Sequence, residues 1–138
     1  MNMTRKHFLV FVVFMLIGVG IVACGGDSAP EEVDLAFEGL DTLRFVPDSA
    51  SVPANTQINV TLTNAGSLEH DWVLVSPGID LATADASDAI GGANSGVVPG
   101  GETRTFGFTS PPAGTYQFIC IVPGHALAGM VGTFTVTP

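Results

Sequence analysis

Near the C-terminal end of the 138-residue chain, the stretch Tyr116-Gln-Phe-Ile-Cys-Ile-Val-Pro-Gly-His-Ala-Leu-Ala-Gly-Met130 carries Cys120, His125 and Met130 at even intervals. A thiolate, an imidazole and a thioether on one loop are soft donors of the kind that hold copper between two imidazoles and a thiolate, with a weak axial thioether. The second imidazole has one sensible source, His70, in the apolar run Glu69-His-Asp-Trp-Val-Leu-Val75. Beyond residue 23 the chain has no other His or Met, and its only other Cys is Cys24. Taken singly, a Cys or Met in a β protein fills the core, and a lone strand His is a satisfied core residue. Taken together, with Pro123-Gly124 bending the chain between Cys and His, the four residues point to one mononuclear copper site.

The elements that must position these residues read as β structure. Gln57-Ile-Asn-Val-Thr-Leu-Thr63 alternates, with Ile58, Val60 and Leu62 on one face. Thr103 to Thr109 alternates with Phe106 and Phe108 inward, and Val131 to Thr137 with Phe134 and Val136 inward. Tyr116, Phe118 and Cys120 share a face, so the thiol is expected to point into the core. Val33–Phe37, Leu43–Val46 and His70–Val75 supply further short strands, and Pro47-Asp-Ser, Pro53-Ala-Asn, Asn64-Ala-Gly and Pro111-Pro-Ala-Gly114 supply turns. Seven or eight short strands of this kind predict an all-β, two-sheet sandwich in a single domain. Pro77 to Gly101 is a long connection of small and acidic residues, with at most one helical turn near Ala82–Ala89. Ordered loops of that length are functional or packed flaps.

Ahead of the domain lies a leader. Arg5, Lys6 and His7 precede an apolar run from Phe8 to Val22, followed by Ala23-Cys24 and two glycines. Residues 1–23 read as a secretory signal peptide, the apolar run being short for a span of ~20 residues. Ile21-Val-Ala-Cys24 resembles the bacterial lipobox, which implies lipidation of Cys24 as the mature N-terminus. The alternative is an uncleaved membrane helix; either places the domain outside the cytoplasm, on the outer face of the cell membrane. Residues 24–32 then form the lipidated Cys and an acidic tether, and residues 33–138 the domain. With Cys24 acylated and Cys120 on metal, no intramolecular disulfide remains.

Once the leader is set aside, Arg44 and Arg104 are the only basic residues against 13 acidic ones. Nothing in that balance neutralises phosphates, so nucleic acid is excluded as a natural partner. An acidic surface favours solubility and steering towards basic partners.

Residues 41–138 resemble the cupredoxins, the plastocyanin/azurin family, and within it the membrane-anchored auracyanins and halocyanins. The resemblance rests on Asn64-Ala-Gly66, His70-Asp-Trp-Val73, Pro99-Gly-Gly-Glu-Thr103, Gly114-Thr-Tyr-Gln-Phe-Ile-Cys120, Pro123-Gly-His125 and Gly129-Met-Val-Gly132. It implies a Greek-key β-sandwich with one type 1 copper on His70, Cys120, His125 and Met130. The copper would cycle between Cu(I) and Cu(II) for redox proteins of a membrane electron-transport chain, with the protein acting as a monomer. The family usually has Asn after the first His and Ser or Thr after the Cys; Asp71 and Ile121 stand there instead. The hydrogen-bonded clasp between the two ligand loops is therefore not expected in its usual form, and Asp71 is expected to be ionised. Pro123, Ala126, Leu127 and Ala128 around His125 are expected to form an apolar patch through which electrons enter and leave.

An enzyme reading is disfavoured. Copper enzymes with such a loop need a further His cluster, and residues 24–138 contain no third His; a dinuclear electron-transfer site would need a second Cys on the loop. The rival reading is an extracytoplasmic copper-binding protein for delivery or storage of the metal.

Overall fold

A computed structural model describes residues 31–138. The expected signal peptide, Cys24 and most of the tether lie outside the described residues. No helix among the described residues is long and apolar enough to cross a membrane.

Among the described residues, eight strands build two four-stranded sheets. They are β1 (Glu32–Leu40), β2 (Arg44–Val46), β3 (Ser49–Pro53), β4 (Gln57–Asn64), β5 (Val73–Val75), β6 (Thr103–Thr109), β7 (Gly114–Ile119) and β8 (Val131–Thr137). One sheet runs β2-β1-β4-β6 and the other β3-β8-β7-β5, which is the two-sheet sandwich expected. Both sheets are mixed, because β1 pairs parallel with β4 and β3 parallel with β8. The β1 strand opens at Glu32, and the Gln57 N–H donates to the Glu31 carbonyl at 3.3 Å. The end of the expected tether is thus already part of the sheet.

The alternation read from the sequence is the burial observed: Ile58, Val60, Leu62, Phe134 and Val136 face the core. Trp72 is fully buried at its centre, stacked on Phe118 at a centroid distance of 5.2 Å and flanked by Phe37, Phe106, Phe108 and Phe134. Truncating an aromatic residue in such a position costs about 3–5 kcal/mol. Turn chemistry closes the sandwich. Asn55 takes a left-handed backbone (φ 53°), as its place in the Pro53-Ala-Asn turn requires. Ser110 Oγ accepts the Thr56 N–H at 2.9 Å and donates to the Pro53 carbonyl at 2.7 Å, tying that turn to the end of β6.

Residues 77–101 form a packed flap with two single 3₁₀ turns, Ala86–Asp88 and Ile90–Gly92, rather than one. Asp85 caps the first turn through the Ser87 N–H. Ile79, Leu81, Ala84 and Ala89 lie against Val73, Val75, Ile119 and Ala126, so the flap covers the outer face of β5 and β7. A bare sheet face of that composition would be an exposed apolar patch.

Candidate metal centre

Two segments meet at one end of the sandwich. The first leads from β4 to β5. Asn64, fully buried, donates from Nδ2 to the carbonyls of Leu68 (2.7 Å) and Val98 (2.8 Å) and accepts the Gly66 N–H at 3.0 Å. His70 and Val98 exchange backbone hydrogen bonds at 3.2 and 2.7 Å, and Trp72 N–H donates to Ser95 Oγ at 2.9 Å. The returning limb of the flap therefore holds His70 on both backbone groups. β5 begins only at Val73, three residues later than its apolar run suggests, because its partner β7 ends at Ile119, opposite Val73.

The second segment is the loop from β7 to β8. Cys120 N–H donates to the Met130 carbonyl at 3.1 Å and Met130 N–H to the His125 carbonyl at 3.0 Å, which closes the loop on itself. His125 N–H donates to Val122 O and Ala128 N–H to Gly124 O, both at 3.0 Å, so the middle of the loop is a tight turn. Gly124 (φ 87°) and Gly129 (φ 105°) supply backbone angles that other residues rarely adopt.

These segments bring the expected residues together. One ligand atom from each of His70, Cys120 and His125 lies within 4.8 Å of the others. Cys120 Sγ is 3.4 Å from His125 Nδ1, and the two imidazole centroids are 5.1 Å apart. Met130 is fully buried in the same core cluster as Cys120. His70 is also fully buried, yet neither ring nitrogen has a hydrogen-bond partner among the described residues. A buried polar atom left unpaired costs about 1–3 kcal/mol. An imidazole so placed, facing a thiol and a second imidazole, fits a soft metal site, and the donor set fits copper.

The electrostatics agree. Burial, then the neighbouring His125, pushes the His70 pKa down against the opposing pull of Asp41, so the ring is neutral, as a ligand must be. Burial pushes the Cys120 thiol up to about 12, so a thiolate there needs a cation beside it.

The ligand loops are joined without the usual hydroxyl, and one expectation about the apolar patch is corrected. The clasp between the ligand loops forms despite Ile121, because its donor is the Ile121 backbone N–H, which reaches Asp71 Oδ1 at 2.7 Å. Asp71 N–H in turn points at Cys120 Sγ at 3.5 Å. Burial pushes the Asp71 carboxyl up, while the Ile121 and Cys120 contacts hold it down. In the apolar patch, Pro123, Leu127 and Ala128 are exposed, Leu127 at 64 %. Ala126 is not part of it: the tight turn directs it inward, and it is 5 % exposed against Val73, Val75 and Ile119. His125 is half-buried among these residues. A cleft of about 200 Å³ runs beside them, between Leu81–Ala84 of the flap and the loop from Cys120 to Leu127.

Asp41, Ser95 and Val98 were not marked by the sequence. Asp41 Oδ1 stands 3.8 Å from His70 Nε2. Hydrogen bonds from the Leu68 and Ser67 backbones and the Ser67 hydroxyl hold its carboxyl down at about 2. No sequence signal singled out Asp41; in the fold, a Cβ at Gly66 would overlap its carboxylate.

Residues 31–137 match the family described as copper binding proteins, plastocyanin/azurin family. The chain is 40% identical to auracyanin B of Chloroflexus aurantiacus over 115 residues, covering 71% of this chain and 49% of that protein. It is 28% identical to auracyanin A of the same organism over 149 aligned positions, 86% of this chain and 90% of that protein. The chain thus spans about half the length of the first of these relatives and most of the second. The crystal structure of dithionite-reduced auracyanin from the photosynthetic bacterium Roseiflexus castenholzii superposes with a TM-score of 0.68 at 28% identity, covering 76% of this chain and 97% of that one.

Proposed function

Because the chain belongs to the plastocyanin/azurin family of copper-binding proteins, the cupredoxins, we propose that it is a membrane-anchored blue copper protein that carries single electrons between redox partners. The observation that supports this most is the wholly buried His70 imidazole, without a hydrogen-bond partner among the described residues, beside Cys120 and His125. His70, Cys120, His125 and Met130 would hold the metal, Met130 through a weak thioether. Copper bound there supplies a one-electron Cu(I)/Cu(II) couple. The protein's part is to fix the donors: His70 through Val98, Cys120 through the Met130 carbonyl and the Asp71 N–H, and Met130 through the His125 carbonyl. Donors fixed in this way rearrange little between oxidation states. The half-buried His125, ringed by Pro123, Leu127 and Ala128, offers a partner a short apolar approach.

The anchor is part of the proposal. Cys24 would carry the lipid and hold the domain at the outer face of the membrane, with the residues between it and β1 giving reach. Cys24→Ala should abolish acyl labelling and release the domain from the membrane fraction; unchanged labelling would sink this part of the reading.

Electron carriage separates from copper delivery by kinetics. A carrier shows a reversible one-electron wave in voltammetry and retains copper when challenged with a Cu(I) acceptor. Rapid loss of Cu(I) to the acceptor would favour delivery.

A further inference from the structure

The contacts behind His70 begin at the turn from β1 to β2. Leu43 N–H donates to the Leu40 carbonyl at 2.9 Å, and Leu43 has a left-handed backbone (φ 56°) that leucine rarely adopts. The turn directs the Asp41 carboxylate at the loop preceding His70. Ser67 N–H donates to both carboxylate oxygens (2.8 and 2.9 Å), Ser67 Oγ donates to Oδ2 (2.8 Å), and Leu68 N–H donates to Oδ1 (3.0 Å). The parallel register of β1 on β4, with Gly39 opposite Asn64, carries Asp41 to Gly66. No side chain fits at Gly66, where a Cβ would overlap that carboxylate. A Cβ at Gly39 would stand 3.2 Å from His70 Cβ and Cδ2, so the strand end also lies close against the imidazole. Among the described residues the Nε2 of this enclosed ring has no hydrogen-bond partner, and Asp41 Oδ1 is 3.8 Å from it.

We propose that Asp41 is a positioning residue for the metal centre. Its carboxylate ties down Ser67 and Leu68 and stands behind His70 Nε2, so that the ring proton sits on Nε2 and Nδ1 is the atom presented to the metal. The inference rests on the reading of His70 as a ligand. At 3.8 Å the contact is electrostatic and longer than a hydrogen bond. An N–H dipole aimed at a carboxylate is favoured over a lone pair aimed at it, and that choice fixes the tautomer. A carboxylate behind a ligating imidazole also makes the imidazole a stronger donor and favours the more positive metal state. Of the four hydrogen bonds into the carboxylate, an amide oxygen in the Oδ1 position keeps those from the Ser67 and Leu68 N–H groups, which anchors the loop. That oxygen still faces Nε2, but the effect on the metal needs the charge.

Two variants separate these roles. In copper-free, ¹⁵N-labelled protein, long-range ¹H–¹⁵N NMR reads the His70 tautomer without any metal. Wild type should show the proton on Nε2, and Asp41→Ala should lose that preference. Asp41→Asn should keep the slow hydrogen exchange of the Ser67 and Leu68 amides. In the copper-loaded protein it should shift the Cu(I)/Cu(II) equilibrium about tenfold towards Cu(I), a rise of about 59 mV for one electron. A wild-type His70 protonated on Nδ1, or an Asp41→Asn midpoint potential equal to wild type, overturns the proposal. Should Asp41→Ala fail to fold, the wild-type tautomer and Asp41→Asn decide the matter. The ligand reading fails separately, if His70→Gly binds copper with an unaltered spectrum.

Discussion

The residue that sets this site apart from its family's usual pattern is Asp71. An Asn there would accept the Ile121 N–H just as well; a carboxylate adds a charge beside His70. That charge stabilises Cu(II) when present and vanishes on protonation. Burial raises the Asp71 pKa, so protonation begins above the ordinary carboxylate range. The midpoint potential should therefore begin to rise above the ordinary carboxylate range as pH falls, and Asp71→Asn should sit at the higher value throughout, without that pH dependence. Parallel pH titrations of the two potentials check this, and identical slopes would contradict it. Met130 allows a second test. Replacing the buried thioether with the harder oxygen of Gln should stabilise Cu(II) and lower the potential while copper is retained. An unchanged potential in Met130→Gln would remove Met130 from the coordination sphere.

Among the elements, β7 and β8 hold the ligand loop at its two ends, and their fit is close. Gly132 on β8 lies opposite Phe118 on β7; a Cβ there would overlap the Phe118 ring and come within 2.7 Å of the Asp48 carbonyl. Phe118 is fully buried between Trp72, Phe37 and Phe45 and has no room to swing away. Gly132→Ala should destabilise the fold by about 1–3 kcal/mol, as overpacking does, read as a lowered urea midpoint. Elements with one buried face were legible in advance: β4, β6 and β8 show period-two alternation because solvent and core impose it. The β3 strand did not show, since Ser49-Ala-Ser-Val-Pro53 buries only Val52 fully and is bounded by prolines. All four expected copper donors could be read locally, three from one loop and His70 by elimination. Asp41 could not, because only the parallel pairing of β1 with β4 brings it to His70. Nor could the inward turn of Ala126, which depends on hydrogen bonds across the loop.

Over the whole molecule, the acidic balance governs encounters. Arg44 and Arg104 are the only Lys or Arg beyond residue 23, so the domain repels anions and attracts cations at long range. Electron transfer to a cationic cobalt complex should slow as salt rises, and transfer to anionic ferricyanide should quicken, because the Debye length shrinks from about 30 Å at 0.01 M to about 10 Å at 0.1 M. Stopped-flow rates insensitive to salt would mean that the charge lies too far from the entry point to steer. The expectations about potential and electron transfer presuppose a copper–thiolate bond at Cys120. The most direct test is the visible absorption spectrum during titration of the copper-free protein with Cu(II), alongside Cys120→Ser. The account predicts an intense thiolate-to-copper band that saturates at one copper per chain in the wild type and is missing from a still-folded Cys120→Ser. A wild type that develops no such band, or a Cys120→Ser that keeps it, would contradict it.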